Sequence, residues 1–110
     1  MNILILGAGQ VGSSTATQLA KEEDNEVTVV DIDPEKLTKL GSRVDLQTIE
    51  GNASYPEVLK QSGAETAEML IAVTSSDEVN MIACQIASTL FNTPKKIARI
   101  RAQEYSNNKA

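Results

Sequence analysis

The chain has 110 residues, enough for one domain around one core, and it contains no apolar run near the roughly 20 residues a membrane helix needs. A formal charge of -5 with two tyrosines, one phenylalanine and no tryptophan argues against a nucleic-acid partner, which would call for a basic footprint and stacking aromatics. The absence of histidine removes the commonest general acid–base residue and the commonest metal ligand, which weighs against catalysis.

Apolar runs bounded by turn signals alternate with helix-period stretches, giving an expected order βαβαβαβαβ. Residues 1–6 are apolar, lack a basic start and run straight into glycines, so they read as a buried strand and not as a signal peptide; a cytoplasmic location follows. Residues 11–21 carry Val11, Thr15 and Leu19 at helical spacing, a stripe expected to face a sheet while Gln18, Lys21 and Glu22 face water. The β-branched run 27–30 is the second strand. Pro34 stands at a first helical position with Asp33 as its cap, and Leu37 and Leu40 form the buried stripe of a helix ending at Gly41.

Residues 46–49 are a weaker strand. Ser54-Tyr55-Pro56-Glu57 reads as a polar cap, an early proline and an acidic first turn, and Gly63 closes that helix. Residues 69–74 form a strand buried on both faces. A fourth helix is expected from about Ser76, with Val79, Ile82, Ala83, Ile86 and Leu90 as its apolar face, stopping before Pro94. Its Cys84, the only cysteine, is expected to be a small core residue. Residues 96–100 alternate in a way that suggests an edge strand.

Strands separated by such helices require right-handed crossovers, hence a doubly wound α/β fold with a mainly parallel sheet and helices on both faces; ligands then sit at the carboxyl ends of the strands where the winding reverses. Gly7-Ala8-Gly9-Gln10-Val11-Gly12 leaves a strand and opens a helix, the context in which this fingerprint means a pyrophosphate seat. Gly7 permits the tight turn, Gly9 lets backbone approach the ligand, and Gly12 lets helix and strand pack closely. The anion would rest on unpaired N–H groups at the positive helix end, so no lysine is required. Asp31 ends the second strand about 20 residues on, where a carboxylate accepts both ribose hydroxyls and repels a 2′-phosphate. Asp33 adds to that bias or simply caps its helix, and Lys36 is the only nearby cation.

Three further candidates have structural readings of equal weight or greater. Asn52, in Glu50-Gly51-Asn52-Ala53, reaches an adenine edge or belongs to an ordinary turn. Thr74-Ser75-Ser76-Asp77 lines the nicotinamide or distal phosphate, or provides an N-cap. Arg99 and Arg101 share a face that suits a phosphate or acidic partner, though solvation is the commoner fate of arginine.

Beyond these elements, Asn2 to Gly12, Val29-Val30-Asp31, Gly51-Asn52-Ala53-Ser54, Ala72-Val73-Thr74, Asp77-Glu78-Val79-Asn80-Met81, Leu90-Phe91-Asn92-Thr93-Pro94 and Ala98-Arg99-Ile100-Arg101 together resemble the KTN, or RCK, family of nucleotide-binding domains. These form the N-terminal part of the peripheral regulatory subunits of bacterial Trk potassium uptake systems. The resemblance covers essentially the whole chain and implies a Rossmann-like domain over residues 1–105, with 106–110 beginning a linker or crossover. It implies NAD or NADH as ligand, alternatively ATP/ADP, and no enzymatic activity.

The resemblance also implies a membrane-embedded Trk-type potassium channel subunit as partner, homo-oligomers through neighbouring KTN/RCK domains, and a peripheral cytoplasmic position at the inner face of the cell membrane without insertion. Family binding positions fall on Gly7, Gly9, Gln10, Val11, Asp31, Asn52, Ala53, Thr74 and Arg101, and Ala8, Gly12, Ile32 and Ser75 complete the candidate set. Many relatives have aspartate at the Asn52 position, so a neutral amide here replaces a carboxylate at the adenine edge; ATP-regulated relatives often have arginine at the Gln10 position, so Gln10 favours NAD(H). Tandem modules in the family imply that this chain is a fragment. The rival reading is the cofactor half of an NAD-dependent oxidoreductase; a redox-sensing repressor would need a basic DNA-binding segment, which this chain lacks.

Overall fold

The computed structural model describes residues 1–103, so the expected linker at 106–110 lies outside the described residues. The order is β1 (Asn2–Leu6), α1 (Gln10–Ala20), β2 (Glu26–Asp31), α2 (Pro34–Gly41), β3 (Gln47–Glu50), α3 (Pro56–Gln61), β4 (Met69–Ala72), α4 (Asp77–Leu90) and β5 (Lys95–Ala98). The strands form one sheet in the order β3-β2-β1-β4-β5, and every pairing in it is parallel. The expected alternation and the edge position of β5 both hold.

Strand alternation sorts the core into two layers. Ile3 and Ile5 of β1, with Val27, Val29 and Ile71, meet Ala16 of α1 and Leu37 and Leu40 of α2 on one face. Leu4 and Leu6, with Val30, Leu70 and Ala72, meet Leu59 of α3 and Ala83 and Ala87 of α4 on the other. Because β1 and β4 are neighbours while the chain winds outward from them in opposite directions, the switch point lies between their carboxyl ends.

Two helix faces differ from expectation. On α1 the buried residues are Gly12 and Ala16, whereas Val11 is 44% exposed. Close approach to the sheet selects the smallest side chains, so Gly12 and Ala16 make the nearest line, while Leu19 of the expected stripe packs at the margin of the core. On α4 the buried line is Asn80, Ala83 and Ala87, while Ile82 and Leu90 are 47% and 60% exposed. Val79 and Ile86 pack at the margin of that core, as does Cys84, whose partial burial raises its thiol pKa.

Local punctuation follows the residues closely. Asp33 Oδ1 accepts the Glu35 N–H and caps α2, and Ser76 Oγ accepts the Val79 N–H and caps α4. Ser54 does not cap α3: the N-cap is Tyr55, without a side-chain bond, and Pro56 and Glu57 occupy the first turn. The run 69–74 stops pairing as a strand at Ala72, and 96–100 is shifted to Lys95–Ala98, which places Thr74, Arg99 and Arg101 in the turns beyond the sheet.

Candidate functional site

At the switch point the glycine turn is fixed from three sides. The Gly7 N–H donates to the Val30 carbonyl at 2.7 Å, and the φ of +112° at Gly7 is a left-handed conformation that disfavours any side chain. A Cβ there would meet the Val73 carbonyl oxygen at 2.8 Å, and one on Gly12 would lie 1.8 Å from the Gly7 oxygen. These two glycines let strand, turn and helix touch. Gly9 differs, because a Cβ on it would meet nothing within 4 Å.

That open space belongs to a cleft of about 590 Å³ bounded by Gly7, Gly9, Gln10, Val11, Asp31, Ile32, Asn52, Ala53, Thr74, Ser75 and Arg101. Of the expected site residues only Ala8 and Gly12 do not line it. Ala8 is buried, and its N–H donates to Asp31 Oδ2 at 2.7 Å, so it joins the glycine turn to β2. Asp31 Oδ1 accepts the Asp33 N–H at 2.8 Å. Each carboxylate oxygen therefore has one backbone partner and keeps acceptor capacity toward the cleft.

The first helical N–H groups of α1, from Gln10 onward, have no intrahelical acceptor, and the N-cap Gly9 has no side chain with which to cap them. Uncapped donors at a positive helix end, an open face at Gly9, and a carboxylate at the end of β2 are the groups that a nucleotide's pyrophosphate and ribose require.

The remaining candidates are engaged in local structure while facing the cleft. Asn52 Oδ1 accepts the Ser54 N–H and hydroxyl at 2.9 and 2.7 Å, so the turn reading holds, and its Nδ2 is the group left for a ligand. The Thr74 N–H and hydroxyl both donate to Asn80 Oδ1, at 2.9 and 2.7 Å. Arg101 Nη2 donates to the Ser75 carbonyl at 3.0 Å.

Two residues go beyond what the sequence suggested. Arg99 is not a solvated surface cation: its Nη2 donates to the Val73 and Thr74 carbonyls at 3.1 and 3.0 Å, and its Nε is buried without a partner. Asn80, a polar residue within an apolar helix face, is wholly buried behind the turn. Its signal in the sequence is the spacing Asn80, Ala83, Ala87, a stripe of small residues that marks the closest contact of α4 with the sheet.

Asp77 holds the chain after β5. Its carboxylate accepts the Arg101 N–H at 2.9 Å and the Ala102 N–H at 2.8 Å. Those bonds, helped by the Arg101 and Arg99 charges, keep its pKa below the ordinary 3.8. A depressed carboxylate contributes stability above its unfolded pKa and loses it as the pH falls through the folded value. The stability difference between the wild type and Asp77→Asn is therefore expected to be full at about pH 6 and to shrink below about pH 4. Urea titrations across that range check this; a difference independent of pH would refute it.

A glycine turn opening a helix at the switch point of a parallel sheet, with an acid closing the adjacent strand, defines a Rossmann-like domain of the dinucleotide-binding class. The model of the TrkA-N domain family matches residues 3–109, and the chain belongs to that family. It is 60% identical over 109 residues to the Trk system potassium uptake protein TrkA of Halomonas elongata, covering 99% of this chain and 24% of that protein. It is 52% identical over 105 residues to the Vibrio alginolyticus protein of the same name, covering 96% and 23%. The chain thus spans about a quarter of the length of these relatives. In fold it is similar to the TrkA-N domain of the inner membrane protein ybaL from Escherichia coli, with a TM-score of 0.79, 24% identity, and coverage of 94% of this chain and 75% of that one.

Proposed function

We propose that this domain is the nucleotide sensor of a potassium uptake regulator, that it binds NAD(H) in the cleft at the switch point, with ATP/ADP as the alternative ligand, and that it performs no chemistry on the ligand. The observation that carries the reading is the convergence in one cleft of Asp31, Gly9 and the uncapped start of α1. Kinship with Trk system proteins supports the physiological role.

On this reading the α1 N-terminus holds the pyrophosphate, Asp31 the adenosine ribose, and Asn52 Nδ2 an acceptor on the adenine edge. Ile32 and Val11, both exposed at the rim, offer apolar surface to the base. Thr74, Ser75 and Arg101 face the distal half of the ligand. Residues 1–105 form the sensing domain, and 106–110 lead toward the rest of the regulator.

Regulation requires that ligands bind two arrangements with different affinity, since equal affinity shifts nothing. NADH against NAD, or ATP against ADP, would change the packing of neighbouring copies beneath a membrane-embedded channel subunit, with the domain peripheral at the cytoplasmic face. Titration calorimetry of the chain with each of the four nucleotides is expected to show saturable binding of at least one pair, with unequal affinity within it. No binding of any of them at about 1 mM, or equal affinities throughout, would reject the proposal.

A further inference from the structure

The β4–β5 ladder ends where the Arg99 N–H donates to the Ala72 carbonyl at 2.9 Å. Beyond that point the chain segments that form the distal wall of the cleft, Val73 to Ser76 and Arg99 to Arg101, lack a sheet to register them. The Asn80 amide shares that task with the Arg99 guanidinium on the Val73 and Thr74 carbonyls, the Arg101 guanidinium on the Ser75 carbonyl, and Asp77 on the Arg101 and Ala102 N–H groups; of these only Asn80 is wholly buried. Its Oδ1 accepts from the Thr74 N–H and hydroxyl, and its Nδ2 donates to the Thr74 carbonyl at 3.2 Å and the Arg99 carbonyl at 2.9 Å. Two lone pairs and two N–H groups are thus all used, on two residues only.

A buried amide is costly unless paired, and alanine fills the neighbouring positions Ala83 and Ala87 on the same stripe. Anchoring α4 to the sheet therefore does not call for an amide; what the amide adds is a buried link from the Thr74 N–H, hydroxyl and carbonyl to the Arg99 carbonyl. The opposite, adenosine half of the cleft stands on other supports: Asp31 bonded to Ala8 and Asp33, and Asn52 bonded to Ser54. No hydrogen bond among the described residues links Asn80 to that half.

We propose that Asn80 is a positioning residue for the distal half of the nucleotide cleft, tying the Thr74 turn to the Arg99 carbonyl, while the adenosine half has hydrogen-bond supports of its own. The inference rests on the nucleotide reading of the cleft. It separates two ligands: AMP, which needs only the adenosine half, and NAD, which spans both.

Calorimetry on the whole chain tests it with Asn80→Ala and Asn80→Asp. The latter keeps the acceptor toward Thr74 but turns an oxygen toward the Thr74 and Arg99 carbonyls. Both variants are expected to bind NAD about tenfold or more weakly than the wild type and AMP within about twofold of it. A merely structural role would weaken both ligands alike, and that result, or unchanged NAD affinity, overturns the inference alone. Failure of the wild type to bind either ligand overturns the nucleotide reading and the inference with it.

Should the variants not fold, amide NMR shifts of the wild type decide. NAD is expected to move the Thr74 and Arg101 resonances well beyond the movement AMP causes, and equal movement by the two overturns the inference.

Discussion

Gly12→Ala is expected to destabilise the domain by about 3 kcal/mol or more, at the upper end of what overpacking costs, and to abolish nucleotide binding as it does so. The added Cβ would fall 1.8 Å from the Gly7 oxygen, a distance no rotamer can relieve. Gly7 cannot retreat, because its N–H is bonded to Val30 and its α-carbon faces the Val73–Thr74 backbone. The start of α1 must lift instead, which opens the core around Ala16 and displaces the N–H groups that face the cleft. Against a total stability of about 5–15 kcal/mol, such a loss is large. Urea unfolding measures it, and a midpoint close to that of the wild type would refute the prediction. Gly9→Ala is the informative contrast: its methyl meets no protein atom within 4 Å, so folding is expected to survive while a side chain intrudes where the ligand's phosphates would sit.

Asp31→Ala is expected to lower nucleotide affinity by about 100-fold or more. Two hydrogen bonds from ribose hydroxyls to a carboxylate are worth about 1.5–3 kcal/mol each, and both vanish. The substitution also removes the acceptor of the Ala8 and Asp33 N–H groups, so the glycine turn loses its tie to β2. Each donor left unpaired and shielded from water adds about 1–3 kcal/mol of instability. Asp31→Asn separates the two effects, because it retains one acceptor oxygen and the side-chain shape. It loses one of the two backbone bonds, so it is expected to fold less stably than the wild type by about 1–3 kcal/mol, less than the loss in Asp31→Ala, and to bind with an intermediate affinity. Titration of NAD into the three proteins, alongside thermal unfolding, reads both quantities; equal affinity in all three would remove Asp31 from the site.

The parts of this molecule legible in its sequence are those whose physics is local. Buried strands 1–6, 27–30 and 69–74 announce themselves as apolar runs, Pro34 and Pro56 mark first helical turns, and the glycine spacing locates the switch point. What was not legible depends on how closely two surfaces approach. Val11 looked like part of the inner face of α1 because it is apolar, yet Gly12 and Ala16 lie inside because they are small, while Leu19 packs at the margin of the core as expected. The same rule exposes Ile82 and Leu90 and buries Asn80, whose polarity is satisfied by residues that the sheet, not the sequence, brings to it. Arg99 followed the same course: an arginine reads as solvated until the end of β5 carries it against the carbonyls of Val73 and Thr74.

On the proposed reading, the seat for a ligand's phosphates uses no side-chain donor: it consists of the main-chain N–H groups that open α1 and the open face of Gly9. Such a seat depends on backbone geometry that the glycines permit and not on the identity of a neighbouring side chain. Holding and choosing are thereby divided between different atoms. On that reading, substitution at Gln10, Ile32 or Asn52 is expected to change which nucleotide is preferred while the main-chain donors for phosphate remain.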